Sequence, residues 1–330
     1  MATIIDVAKA AGVSKSTVSR VVSGNGYVSK ESREKVLKAM ADTGYIPNAL
    51  ARHFQSGETK TIGFLAQGYF DTLGVFLETF TQIARNYGYF IHLYFTGGDK
   101  QKELDALNLM KYKQIDGVFI LTRSNDWETI AAYSMYGPIA TWHRIDSPNI
   151  YSSYVDHYDG YVMSLNYLYD CGYRKIGHIL GSAKNLNTQA RLQAIDDFYR
   201  EKKLALADAW VSTNSNFERS GQVIAKQWAE QDERCDALAF FSDDIAAQFM
   251  SSLQLLGYSV PDDVAVIGFD NSRLSELMHL TTVEYSLDKQ AVNSFIYIYN
   301  ALNDKKIPEE PLAVRLVKRL TVQEDFRGHA

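Results

Sequence analysis

The chain has 330 residues, 46% hydrophobic and 22% charged, which is the composition of a globular protein of two or three domains and excludes a disordered or fibrous chain. Its net charge of -5 taken alone argues against a nucleic-acid binder. The charge is unevenly spread, however: residues 1–60 hold 9 Lys+Arg against 5 Asp+Glu, and the rest holds 25 against 34, a basic head on an acidic body of the kind that orients a protein on a polyanion.

Residues 3–22, TIIDVAKAAGVSKSTVSRVV, read as two short helices broken by Gly12. Thr3 and Asp6 fit a capping box, which satisfies orphan backbone donors at a helix start. Val7, Ala8 and Ala11 recur at helical spacing, and Gly12 takes the left-handed position that ends a helix. Ser14 caps the second helix, and Val18, Val21 and Val22 form its apolar side. Lys15, Ser16, Thr17, Ser19 and Arg20 then point elsewhere. Such a face is either solvated or suited to the DNA major groove, which admits one helix. A third helix is expected from about Lys30 to Thr43, capped by Ser29 and stopped by Gly44, with Val36, Leu37 and Met40 facing a small core.

Residues 45–61, YIPNALARHFQSGETKT, follow as a hinge and linker. Pro47 opens a short helix over 48–55, too short to be stable alone in water, and Arg52 and His53 suit it to ordering on a partner. From Thr61 onward strand, loop and helix alternate. Strands are expected at 61–66, 90–94, 117–121, 139–142, 175–180, 237–241 and 264–269. Helices are expected at about 75–87, 101–112, 127–136, 159–171, 188–202, 218–230, 244–256 and 287–303. This is an α/β pattern of two similar open parallel sheets, broken near 156–160, with a ligand cleft beyond the carboxyl ends of the strands.

These residues carry a resemblance. DVAKAAGVSKSTVSRVV, VSKESREKV and YIPNALAR in the head are similar to the signature of the lactose-repressor/galactose-repressor family of bacterial transcription regulators. VDHYDG (155–160), GYRKIGHILG (172–181), ARLQAI (190–195) and VPDDVAVIGFDN (260–271) follow in the family's order, so the resemblance spans essentially the full length. It implies a helix-turn-helix head (1–45), a hinge (46–60) and a two-lobed body like periplasmic binding proteins (61–330). The first lobe would hold about 61–157 and 286–314, the second about 158–285 and 315–330. It further implies a homodimer on a palindromic DNA operator, controlled by a small effector, a sugar or sugar derivative, bound between the lobes.

Carried over residue by residue, the resemblance places Lys15, Ser16 and Arg20 where bases are read. Arg20 is suited to guanine, and Thr17, Ser19 and Asn25 to phosphates. Thr3, Ser14, Tyr45 and Asn48 complete the DNA-facing set. Phe54 stands where the family usually has leucine, as a wedge into the minor groove or a packing contact with its twin, supported by Ala49, Leu50 and Arg52. In the body, Arg191 matches the family's cleft arginine and Asp270 an acid that accepts from sugar hydroxyls. Asp243, with Asp244 beside it, either faces a hydroxyl-rich ligand or caps a helix. Phe217 lies near an aromatic wall. The first-lobe loop lacks the family's usual Asn-Pro, and Tyr69, Phe70 and Asp71 are candidates to line the cleft there. Trp142, His143 and Arg144 end a strand that also reaches it, although a lone histidine is more often a structural hydrogen-bonder.

Other classes find little support. There is no G-x-G-x-x-G after a strand, no G-x-x-x-x-G-K-S/T, and no G-x-S-x-G. Cys171 and Cys235 lack paired spacing, so no disulfide framework, metal or cofactor is expected. The polar N-terminus and the lack of any apolar run near the ~18 residues of a membrane span predict a cytoplasmic chain without membrane contact. The tail lacks leucine heptads, which favours a dimer over a coiled-coil tetramer. The alternatives are a co-repressed regulator answering to a phosphoprotein partner, as some relatives of the family do, and a sugar-active enzyme or a solute-binding module with an incidental head.

Overall fold

The structure, a computed structural model, describes residues 2–23, 26–46, 58–69, 71–206, 210–213 and 220–326. The chain divides into two compact units, Met1–Thr59 and Lys60–Ala330. The helix expected over 48–55 lies outside the described residues.

The first unit holds three helices, α1 (Ile4–Ala11), α2 (Lys15–Ser23) and α3 (Lys30–Thr43). Thr3 and Asp6 form the reciprocal capping box, and Gly12 ends α1 at φ 66° with its N–H returned to Ala8 and Lys9 carbonyls. Ser29 caps α3 through the Ser32 N–H, and Gly44 ends it at φ 64°. Val7, Ala8, Val18, Val21, Val36 and Ala39 form the core. Leu37, expected there, is instead 52% exposed, and Ala39 is buried. The reason is helical geometry: positions three and four beyond Val36 share its face, whereas the next position does not. Met40 packs at the edge of this core.

The second unit contains two open sheets. The first is built from β1 (Thr61–Ala66), β2 (Phe90–Phe95), β3 (Gly117–Ile120), β4 (Ile139–Thr141) and β5 (Tyr151–Ser152), ordered β2-β1-β3-β4-β5. All of its pairings are parallel. The second is built from β6 (Ile176–Ile179), β7 (Val211–Ser212), β8 (Ala237–Phe240), β9 (Ala265–Phe269), β10 (Thr281–Glu284) and β11 (Arg315–Val317). Its order is β11-β10-β9-β8-β6-β7, parallel except for β11. Apart from β11, the two sheets wind alike: the second strand lies outside the first, and the third lies on its other side. This reversal opens a crevice at the carboxyl ends of both sheets.

Helices cover the faces: α4 (Asp71–Asn86), α5 (Lys100–Lys111) and α6 (Trp127–Ala131) follow strands of the first sheet. With the second come α7 (His157–Asp170), α8 (Leu186–Lys202), α9 (Ser220–Glu230), α10 (Asp243–Leu255) and α11 (Arg273–Leu277). The last, α12 (Leu287–Asn303), follows the second sheet in sequence but packs on α4 and on β3, β4 and β5. The chain therefore crosses between lobes before α7, before α12 and again before β11. β1, β3 and β4 are buried throughout, as strands covered on both faces must be. β2 is an edge, with Phe90, Leu93 and Phe95 exposed. Among the described residues no helix is long and apolar enough to cross a membrane.

The second lobe buries a histidine in its core. His178 on β6 is fully enclosed, its Nδ1 3.1 Å from the Tyr161 hydroxyl and its Nε2 3.3 Å from that of Tyr199. Burial pushes its pKa down to about 3, and that of His143 down to about 4. Both are neutral when folded, whereas an unfolded histidine titrates near ~6.5. Their contribution to stability is therefore fully present above ~pH 6.5 and is lost as pH falls from there toward the folded values. The loss is about 1.4 kcal/mol per pH unit for each. His178→Gln is expected to flatten this slope by one histidine's share in urea unfolding between about pH 7.5 and 5. A slope equal to that of the parent would contradict this.

Candidate functional site

In the head, α2 buries Val18 and Val21 and turns Lys15, Ser16 and Arg20 to solvent, with Thr17 and Ser19 half-buried. The Ser14 hydroxyl accepts the Thr17 N–H at 3.1 Å and lies 2.7 Å from that of Ser16 and 2.8 Å from that of Thr17. A cluster of hydroxyls therefore crowns the start of α2, whose first turn carries no acid. Free N–H groups and a positive helix end are suited to phosphate. The stem of Arg20 passes over Gly26, where a Cβ would come 3.4 Å from its Cδ. The Thr3 hydroxyl is engaged with Asp6. Tyr45 packs on the head core, and its N–H is tied to the Met40 carbonyl at 3.0 Å. Asn25, Asn48, Ala49, Leu50, Arg52 and Phe54 lie outside the described residues.

In the body, a cleft of about 670 Å³ opens where the carboxyl ends of the two sheets converge. The first lobe contributes Gln67 and Tyr69 after β1, and Trp142 and His143 after β4. The second contributes Ser242 after β8, Asp270 after β9 and Tyr285 after β10, with His157 from α7 and Asn187 and Arg191 from α8. Of the expected residues, Tyr69, Arg191 and Asp270 are thus brought to one cavity, and Trp142 and His143 join them. Tyr69 stands at the mouth, 77% exposed. Phe70 and Phe217 lie outside the described residues, as does the side chain of Asp71, which opens α4.

Arg191 is the central cation. It is 4% exposed, yet among the described residues its Nη2 reaches only the Phe241 carbonyl, at 3.3 Å, and its Nε has no partner. Its guanidinium lies 4.5 Å from the centre of the Phe269 ring, and burial lowers its pKa. Asp270 sits in an unusual backbone, at φ 140° with Asn271 at φ 51°. Arg319 holds this turn by donating to Asn271 Oδ1 at 2.7 Å and to the Leu280 carbonyl at 2.7 Å. Asp270 Oδ1 accepts from the Tyr285 hydroxyl at 2.8 Å, and its other oxygen accepts from the Asp243 N–H at 3.4 Å. Burial, reinforced by the charge of Asp243, raises the Asp270 pKa well above the usual carboxylate range.

Asp243 is not a cleft residue. It is fully buried one layer below, where its carboxylate accepts from the Thr282 hydroxyl at 2.6 Å and the Ser272 N–H at 2.8 Å. Gly268 leaves it room, since a Cβ there would sit 2.1 Å from Oδ1. The cleft position belongs to Ser242, which also caps α10 through the Asp244 N–H. His143 donates from Nε2 to the Leu121 carbonyl at 2.8 Å, and Trp142 Nε1 donates to the same oxygen at 2.6 Å. Arg144 turns away and pairs with Asp156 at 2.7 Å.

His157, Asn187 and Tyr285 were not singled out from the sequence. His157 and Asn187 each bring a buried polar atom without a partner, Nδ1 and Oδ1. Their only sequence signal is position: His157 opens the helix after the first lobe crossing, and Asn187 lies one turn before Arg191 on α8.

A head with an exposed basic, hydroxyl-rich helix and a body with a polar interlobe cleft define a ligand-binding regulator of the helix-turn-helix class. The family model for bacterial regulatory proteins of the lacI family matches residues 3–48, and that for periplasmic binding protein-like domains matches residues 165–322. The HTH-type transcriptional repressor PurR of Vibrio vulnificus is 30% identical over 318 residues, covering 93% of this chain and 93% of its own. Among solved structures, the Lac repressor dimer bound to operator and the anti-inducer ONPF superposes with TM-score 0.82 at 23% identity, covering 97% of this chain and 98% of that one. A LacI family regulator from Lactobacillus casei with bound sucrose superposes at 0.72 and 23% identity, over 79% of this chain and 99% of that one. The chain belongs to the lacI family of bacterial regulatory proteins. It is a DNA-binding transcriptional repressor with an effector-binding body.

Proposed function

We propose that two copies of this chain bind a palindromic operator through α2 and respond to a sugar or sugar derivative held in the body cleft. The observation that carries the effector reading is Arg191, a buried guanidinium lining a polar cavity and short of partners. Asp270 and Asn187 offer acceptors to hydroxyls, and the rings of Trp142 and Phe241 offer apolar surface to the C–H face of a sugar. Sucrose in the Lactobacillus casei structure fits this reading.

In this account residues 1–45 read DNA, 46–60 form the hinge and 61–330 bind the effector. Lys15, Ser16 and Arg20 contact bases, Thr17, Ser19 and Asn25 contact phosphates, and Phe54 enters the minor groove. The dimer is supported by the β2 edge of the first lobe, where Phe90, Leu93 and Phe95 are exposed. An open apolar edge strand invites pairing, and a two-fold copy covers it. Two-fold symmetry is also what a palindromic site mirrors.

A thermal-shift screen against sugars and phosphosugars, followed by gel shifts with each hit, tests the reading. At least one compound is expected to raise Tm by mass action and to change operator affinity. Sedimentation equilibrium should return a dimer. Stabilisation by no compound, or full operator affinity from a monomer, would contradict it.

A further inference from the structure

Two polar atoms of the cleft without a partner among the described residues belong to side chains that lie against one ring. The Arg191 guanidinium lies 4.5 Å and the His157 imidazole 4.8 Å from the centre of the same Phe269 ring. Both side chains are more than nine-tenths buried, at 4% and 7% exposed, and Arg191 Nε and His157 Nδ1 have no partner. A buried guanidinium without a counter-ion is costly, whereas a surface one is not. Asp270 lines the same cleft and its charge favours the Arg191 guanidinium, but the two make no direct ion pair, and its oxygens accept from the Tyr285 hydroxyl and the Asp243 N–H. Among the described residues no other carboxylate pairs with Arg191.

We infer that the effector is an anionic sugar, whose carboxylate or phosphate occupies this corner between Arg191 Nε–H and the His157 imidazole. The inference rests on the cleft being the effector site, and it specifies the effector's chemistry. A hydroxyl supplies one weakly charged acceptor. An oxyanion supplies a counter-charge to Arg191 and lone pairs to both nitrogens, and charge-assisted bonds are roughly twice as strong as neutral ones.

The corner also has a proton response. His157 is faced by Arg191 from α8, by Arg144, itself paired with Asp156, from the segment after β4, and by Tyr285 at 4.9 Å from the segment after β10, whose hydroxyl is bonded to Asp270. Burial first, then the charges of Arg191 and Arg144, hold it neutral. An anion in the corner offsets the Arg191 charge and favours the imidazolium, Arg144 being already paired with Asp156. Binding then takes up a proton on the His157 imidazole, and affinity rises as pH falls through the window between the free and bound pKa values.

Calorimetry on the full chain tests this with matched sets of neutral sugars and their acids, such as glucose, glucuronate and glucose 6-phosphate, extended to other hexoses and disaccharides. Inorganic phosphate is a further probe. The carboxylates carry the pH arm because they stay ionised from about pH 5 to 8, whereas phosphate titrates near ~6. The acid of one set is expected to bind at least about 10-fold tighter than its neutral parent, with proton uptake revealed by two buffers of different ionisation heat. His157→Gln should abolish the uptake and shrink the acid-over-neutral ratio. Arg191→Met should remove the preference. A neutral parent that binds as tightly as its acid would overturn the inference and leave the sugar reading standing. Phosphate binding with no sugar bound would keep the anion corner and remove the sugar. Binding of no probe would overturn both.

Discussion

Arg20→Ala is expected to weaken operator binding by about 1–3 kcal/mol in each half-site, the worth of one bidentate base contact. With both half-sites affected, the loss is roughly 30-fold to 20,000-fold. The side chain is exposed on α2, opposite Val18 and Val21, and its stem is set against Gly26. Truncation leaves the head core intact, because Arg20 is exposed and is not one of the core residues of this unit. The loss should therefore appear in binding and not in the unfolding temperature. It should also relax preference at one base pair per half-site. Lys15→Ala or Ser16→Ala would weaken binding less, the first with a flatter salt dependence. Fluorescence anisotropy with the operator and its single-base variants reads all of this. Equal affinity of parent and Arg20→Ala for specific and random duplexes would remove α2 from the interface.

The second large effect has two parts of opposite sign. Arg191→Met is expected to abolish the effector response, at a loss of about 1.5–3 kcal/mol for each hydrogen bond from a charged group. The same substitution should leave the ligand-free protein as stable as the parent, or more stable by about 1–4 kcal/mol, because exchanging a buried ion for an apolar side chain removes its desolvation penalty. Methionine keeps the stem that packs on Phe269 and Phe241. An ordinary structural arginine would behave in the reverse way, losing stability on substitution and leaving effector binding alone. Thermal unfolding with and without effector separates the two.

Local chemistry explains what could be read from the sequence. The caps at Thr3, Ser29, Gly12 and Gly44 depend on neighbours within a few residues, so the head helices were visible at once. TIGFLA and VAVIGF are long apolar runs between turn signals, and they fall on β1 and β9. β5 (YS), β7 (VS), β10 (TTVE) and β11 (RLV) escape the sequence reading because none carries the mostly apolar run that marks equally short strands such as GVFI and ALAF. The same limit governs the site. Whether Ser242 or Asp243 faces the cleft depends on where β8 hands over to α10, a shift of one residue that turns a side chain to the opposite side. His157 and Tyr285 come together with Phe269 although they are far apart along the second-lobe segment, a long-range contact that no local pattern encodes.

The central claim is that effector in the cleft and DNA on the head are coupled, and reciprocity tests it most directly. Effector affinity would be measured by calorimetry on free protein and on protein saturated with operator, alongside operator affinity with and without effector. The account predicts that both affinities change by the same factor, on the order of 5- to 150-fold, as a coupling of about 1–3 kcal/mol requires. Operator affinity untouched by a saturating cleft ligand, with effector affinity likewise untouched by operator, would contradict it.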